Sequence, residues 1–296
     1  MRLRSQSARV RIAMGLAPLA LTVGIPFAGG MALAFVQSVG FFPAVGEAHL
    51  TAAHYLAFVT DSEFRDSLLV TLGLATAATM VSALIGLFIA LFLRKATQRY
   101  QSLAVLVQVP LAVPHIVMAL FVLELLAPSG LIARVVCALG IIHSQAAFPA
   151  LINDRFGIGI IFAYALKEAP FIALMLLAVL LRIGDDYDAV ARTLGASRWQ
   201  RLRYVTLPMI FPALLSSSLL VFAFVCGAYE VPLLLGRQFP AMLPVVAQQK
   251  FMNVDLTVRP DAIAVGMVIA FVTFVIVLSY MRLARALSTS ERTLIF

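Results

Sequence analysis

The sequence predicts an all-α membrane protein of six transmembrane helices with both termini on the cytoplasmic side. Of its 296 residues, 62% are hydrophobic and 12% charged, where soluble domains average about 25% charged, and the mean hydropathy is +1.01. Six apolar runs are long enough to cross a bilayer, which takes roughly 20 residues. Fifteen of the 22 Lys and Arg residues lie in segments that a six-span topology places on one side, the bias that marks a cytoplasmic face.

The runs are Ile12–Val36, Leu68–Leu93, Leu103–Ala127, Ile158–Leu181, Met209–Leu235 and Ala262–Met281. The first follows a basic N-terminus, but it exceeds the 7–15 residues of a signal-peptide core, so it reads as an uncleaved span. In the third, Pro110 and Pro114 stand four apart and remove two backbone donors from one face, which predicts a kink. Leu131–Ile142 is too short to span and carries Arg134, so it is expected as an interfacial or re-entrant cap on the third helix. A seventh span there would export the five arginines of residues 182–203, against the charge bias. The length accommodates one membrane domain over 1–296 with a core at roughly 68–284, and no separate soluble domain.

The net charge of +8 would suggest nucleic acid in a soluble protein. Here the bases end apolar runs and set topology, so no nucleic-acid partner is expected. Cys137 and Cys226 stand far apart in apolar stretches and read as reduced packing residues, and His49 and His54 read as ordinary loop histidines. No Walker A loop, H-E-x-x-H, Rossmann fingerprint or C-x-x-C occurs, so no catalytic residue, metal site or cofactor is assigned. A nucleophile at Ser129 with His115 or His143 as base would make an intramembrane serine hydrolase, but Pro128-Ser129-Gly130 reads more simply as a turn ending the third span.

The segment 185–208, DDYDAVARTLGASRWQRLRYVTLP, is charged between two apolar runs and reads as helix, glycine break, helix. Asp185 or Asp186 can cap the first turn, and Gly195 supplies the left-handed residue that stops it. Ser197 can cap a second helix presenting Trp199, Leu202 and Val205 on one side, with Pro208 forbidding continuation into the fifth span. Membrane lipids are one surface such a helix could rest on.

Gly195, nine further residues and then Val205-Thr206-Leu207-Pro208 resemble the EAA loop of binding-protein-dependent ABC transporter permeases, where a glycine is followed by nine residues and I-x-L-P. The six-span layout, with this loop between spans four and five, is similar to the type I importer fold. The resemblance implies a non-catalytic permease subunit. It implies cytoplasmic ABC ATPase subunits seated on Asp188, Ala189, Ala191, Gly195, Ala196, Trp199, Val205, Leu207 and Pro208, a second permease chain or a copy of this one, and an external solute-binding protein. The chain departs from the pattern where the family's glutamate corresponds to Ala189 and its two alanines to Val190 and Ala191, with Asp188 one position earlier. Either Asp188 substitutes for that carboxylate or the second permease holds the stronger contact.

GAYEVPLLLG at 227–236 and VDLTVRPDAIA at 254–264 look like polyamine-type permeases and their relatives for aminoethylphosphonate, iron or thiamine. Glu124, Glu168 and Glu230 lie in or near apolar spans, where charge is costly and functional. If they line one path, it favours a cation such as a polyamine. A secondary transporter is the rival of another class. It should show inverted repeats, and none is visible.

Overall fold

The computed structural model describes residues 14–96, 102–183 and 186–293. Arg2, Arg4, Arg9, Arg11, Ile12 and the Asp185 cap lie outside the described residues. Six described stretches are long and apolar enough to cross a membrane: Met14–Ser38 (α1), Ser62–Arg94, His115–Ala138, Ile158–Ile183, Arg198–Gly227 and Leu256–Arg282. The helical, six-span expectation agrees with this in number, but the boundaries differ, most at the third stretch, which starts at His115 and takes in Leu131–Ala138 of the segment expected as an interfacial cap.

The described residues form two compact units, one of residues up to Asp61 with Ala247–Val268, and one of Ser62–Val246 with the chain from Ile269 onward. In the first unit, α1 leads into a hairpin of Phe41–Phe42 (β1) and Glu47–Ala48 (β2), followed by Ala53–Thr60 (α2). The Tyr55 hydroxyl bonds Ser38 Oγ at 2.6 Å, tying α2 back to the end of α1. His54 is not a loop histidine. It sits on α2 with Nδ1 at 2.7 Å from Asp261 and Nε2 at 3.2 Å from Glu47, which joins the hairpin to the first turn of the last helix.

The core of the second unit is the pair Ser62–Ala96 (α3) and Ile158–Ile183 (α7). Along α3 the buried residues Ser67, Thr71, Ala75, Ala78, Ser82, Gly86 and Ala90 form a small-residue stripe, which lets two membrane helices approach backbone to backbone. At Gly86 a Cβ would stand 2.8 Å from Ala169 O and 2.9 Å from Ile172 Cβ, so only glycine fits. Met80, Leu84, Phe88 and Phe92 recur every four residues on the exposed side of the same helix, the lipid-facing stripe.

The expected third span Leu103–Ala127 is broken, not merely kinked. Ser102–Ala112 (α4) ends before Pro114, and His115–Leu126 (α5) starts after it. Pro114 has no N–H for the Pro110 carbonyl and forces the preceding residue out of helical geometry. The segment set aside as interfacial is Leu131–Ala138 (α6), joined to α5 by the turn 127–130 and packed against it.

The fifth span also differs from Met209–Leu235. Leu207–Gly227 (α10) stops at Gly227, and Glu230–Leu235 (α11) is a separate short helix. At the other end Pro208 does not stop the helix. Arg198–Arg201 (α9) runs through a π turn at Leu202–Thr206 into α10, giving one 30-residue stretch. The Leu207 N–H bonds back five residues to Leu202 O, and this widened turn makes room for the proline ring that would otherwise clash one turn back. The same device occurs in α1, where a π turn at Ala20–Gly24 precedes Pro26.

Leu243–Phe251 (α12) and Arg259–Thr293 (α13) complete the chain. Thr71 Oγ1 accepts the Leu243 N–H at 2.8 Å, fixing α12 to α3. Between α12 and α13 the Thr257 hydroxyl and N–H bond Asp255 and hold its carboxyl below the ordinary range.

Candidate functional site

Two constellations carry the charged residues singled out in the sequence. The first is the segment between α7 and α10. Asp186–Thr193 (α8) ends in a Schellman motif: Gly195 N–H donates to Arg192 O and Ala196 N–H to Ala191 O, each at 3.0 Å. Gly195 takes φ +78, the left-handed conformation expected of it. Two residues on, Ser197 and Gln200 form a capping box, with Ser197 N–H on Gln200 Oε1 at 2.8 Å and Gln200 N–H on Ser197 Oγ at 3.3 Å. The S-x-x-Q spacing was a legible signal for the Gln200 half of this box.

Asp188 closes the angle between the two helices. Its Oδ2 accepts from Arg201 Nη1 at 2.9 Å and lies 3.7 Å from Arg192 Nε. This carboxylate therefore braces the segment from within. Sequence reasoning named Asp188 but missed Arg201, because the partner stands 13 positions away across the glycine break. Both side chains are less than one-third exposed, so their charge-assisted bond is expected to show a coupling of about 1 kcal/mol. A double-mutant cycle of Asp188→Asn and Arg201→Gln, read by thermal melting of the purified protein, measures it, and purely additive losses would remove the brace.

The other residues of the segment divide by exposure. Ala189, Trp199 and Pro208 are exposed, whereas Ala191, Ala196, Val205 and Leu207 are half-buried. Trp199 therefore does not share one buried face with Leu202 and Val205. Tyr187, Val190, Leu194, Trp199 and Tyr204 are all exposed, Leu194 at 82%. A groove of about 330 Å³ borders two of them, Leu194 and Tyr204, and is also lined by Gly195, Ala196, Gln200 and Arg201. Apolar side chains on an otherwise charged, internally braced element form a surface suited to a partner.

The second constellation lies at the break between α4 and α5. Lys167, on α7 and buried, donates from Nζ to Leu111 O and Pro110 O at 3.2 Å and to Val113 O at 2.5 Å. The proline break leaves the Leu111 and Val113 carbonyls without helical donors, Pro110 O also accepts the Val113 N–H at 3.3 Å, and a cation suits the negative end of a helix. Its neighbour Glu168, 11% exposed, accepts from His115 Nε2 at 3.0 Å. The two do not pair with each other, as expected for successive helical residues. Phe224 of α10 lies over the His115 ring with centroids 4.5 Å apart, and meets Tyr164 edge to face at 6.5 Å.

The three candidate path carboxylates thus have different surroundings. Glu168 is occupied by His115. Glu230 opens α11 half-buried and lies, like Glu168, within electrostatic reach of Tyr164, whereas Glu124 on α5 is exposed and outside that group. Of the two bases weighed for the serine hydrolase alternative, His115 bonds Glu168. Ser129 contributes its carbonyl, which accepts from Arg134 Nε at 2.9 Å. Cys226 is buried as expected, while Cys137 is only half-buried, and both are free thiols.

With this geometry in hand, the comparisons with known proteins are specific. Residues 82–293 match the family model described as the binding-protein-dependent transport system inner membrane component. The chain is 28% identical over 234 residues to the Escherichia coli K12 inner membrane ABC transporter permease protein YnjC, covering 78% of this chain and 44% of that one. It is 31% identical over 183 residues to the Mycobacterium bovis molybdenum transport system permease protein ModB, covering 60% of this chain and 64% of that one. Against the Escherichia coli K12 sulfate transport system permease protein CysT the identity is 25% over 233 residues, covering 78% and 80%. The chain therefore spans less than two-thirds of the length of YnjC and ModB.

Among solved structures, a bacterial alginate ABC transporter in complex with an alginate pentasaccharide-bound periplasmic protein superposes with a TM-score of 0.75 at 18% identity, covering 97% of this chain and 96% of that one. A bacterial ABC transporter involved in import of the acidic polysaccharide alginate gives 0.72 at 20% identity, covering 97% and 99%. These two likenesses establish the fold alone. The match over residues 82–293 takes in the later part of α3 with Gly86, α7, the broken crossing and the braced segment together, and the chain belongs to the family of binding-protein-dependent transport system inner membrane components.

Proposed function

We propose that the chain is the membrane-spanning permease subunit of an ATP-driven importer, and that residues 185–208 are the element on which a cytoplasmic ATPase acts. The observation that carries this reading is the construction of Asp186–Thr206. A Schellman motif, a capping box and the Asp188–Arg201 bond hold it rigid, its apolar residues are exposed, and it continues without interruption into α10. A stiff element transmits displacement where a flexible loop absorbs it. Arg198–Gly227, 30 residues and so about 45 Å long, reaches from the braced segment across the bilayer. ATP hydrolysis belongs to the partner ATPases in this scheme. A second permease chain or a copy of this one and an external solute-binding protein complete the assembly, and lipid covers the apolar outer surface.

For the cargo, the named relatives support an oxyanion, since ModB and CysT are described as molybdenum and sulfate permeases. Aminoethylphosphonate, one of the alternatives drawn from the sequence, also carries an oxyanion. A second reading, a polyamine-like cation, rests on Glu124 and Glu230, as Glu168 is already bonded to His115. Uptake of molybdate, sulfate, aminoethylphosphonate and spermidine into membrane vesicles containing the full complex separates the two. ATP-dependent uptake of one of the oxyanions is expected, unchanged in Glu124→Gln and Glu230→Gln. Spermidine uptake that either substitution cuts by about tenfold, roughly 1.4 kcal/mol of lost attraction, would reverse the assignment. No ATP-dependent uptake of any solute, with the ATPase present, would count against the importer reading.

A further inference from the structure

The two halves of the broken crossing are held to α7 by consecutive residues of unequal strength. Lys167 grips the end of α4 with three bonds from a buried ammonium, at 2.5 to 3.2 Å. Glu168 holds the start of α5 by one bond, to His115 at 3.0 Å, and the His115 side chain is 26% exposed. α7 itself is anchored on α3, where Gly86 admits the Ala169 carbonyl and Ile172 at a distance no larger residue would allow. The same His115 ring that Glu168 holds is touched on another side by Phe224, three residues before the end of the helix that rises from the braced segment. A push along that helix therefore meets the broken crossing at the half that a single polar bond ties to α7.

We propose that α5 is the moving half of the broken crossing, that Phe224 pressing on His115 delivers the displacement of α10 to it, and that Glu168 is the latch that returns it, while Lys167 keeps α4 fixed on α7. His115, Phe224 and Glu168 are positioning residues for transport. This rests on the importer reading and adds the point at which the stroke enters the membrane core. The mechanical logic follows from bond number and burial. Three bonds from a desolvated cation, two of them to carbonyls that the break deprives of helical donors, are costly to break, whereas one bond and a ring contact can be exchanged for small shifts.

Spin labels on the full complex test it, in a Cys137→Ser, Cys226→Ala background. One pair, Leu120→Cys with Met175→Cys, reports α5 against α7, and a second, Val105→Cys with Met175→Cys, reports α4 against α7. All three positions are exposed on their helices. Between the nucleotide-free and vanadate-trapped states the first distance should shift by about 2–5 Å, the range of helix translations and one-turn slips, and the second should not. Phe224→Ala should abolish the first shift while vanadate trapping persists, and Phe224→Tyr, which keeps the ring, should restore it. Equal shifts of both pairs, no shift of either with nucleotide trapped, or a full shift in Phe224→Ala would each overturn the proposal. Failure of the unsubstituted complex to trap nucleotide would instead sink the importer reading and this inference with it.

Discussion

Gly195→Val is expected to insert into the membrane in normal amount and to lose ATP-driven uptake. At φ +78 the residue occupies a conformation that a β-branched side chain adopts at a cost of about 1–3 kcal/mol. A Cβ at Gly195 would meet nothing within 4 Å, so the penalty is one of backbone conformation and not of packing. Relief comes by rotating the backbone out of the left-handed region, which breaks the bonds from Gly195 and Ala196 to Arg192 and Ala191. The angle between α8 and α9 then changes, and Asp188 no longer meets Arg201. Gly195→Ala should show an intermediate loss, since it lacks the second branch. Uptake per molecule of inserted protein is the measurement, and wild-type uptake by the valine variant would show that the geometry of this turn is irrelevant to transport.

Lys167→Met is expected to produce the largest loss of stability among substitutions within the spans. Lys167 stands nine residues into α7, about 14 Å along the helix and close to mid-membrane. Methionine fills similar space but leaves the carbonyls of Leu111 and Val113 without a donor, and Pro110 O with only the Val113 N–H, in a region that water does not supply. Part of that cost is offset because the ammonium no longer has to be buried, leaving a net loss of about 2–3 kcal/mol. For a chain of this size that is roughly a 5–10 °C lower melting temperature in detergent. Glu168→Gln, which retains a hydrogen-bond acceptor for His115, should lower it by much less. Equal melting temperatures for the Met variant and the parent would mean that the break does not depend on the lysine.

The sequence made legible whatever depends on neighbours along the chain. The glycine stop, the Ser197 cap and the six apolar stretches arise from local geometry and hydrophobic length, and the structure agrees with all of them. Contacts between distant residues stayed hidden. His54 looked idle because Asp261, 207 positions away, cannot be paired with it by spacing. Nothing in the sequence marks what Lys167 binds, because its partners are backbone carbonyls at the break between two other helices, which no side-chain pattern announces. The two prolines misled in opposite directions. Pro114 did more than kink its helix because the freed carbonyls had a cation to receive them. Pro208 did less than stop its helix because a π turn one step earlier widened the path. Three carboxylates in apolar runs looked like one acidic path, yet a histidine on another helix already bonds one of them.

The central claim is that residues 185–208 face a cytoplasmic ATPase. A photoreactive amino acid placed at Leu194, 82% exposed beside the groove next to Gly195, tests it most directly in whole membranes, with Leu50, 75% exposed on the segment expected outside, as the reference position. The account expects a crosslink from Leu194 to an ATPase subunit whose yield changes when ATP is trapped, and none from Leu50. A crosslink to the ATPase from Leu50 with none from Leu194 would contradict it.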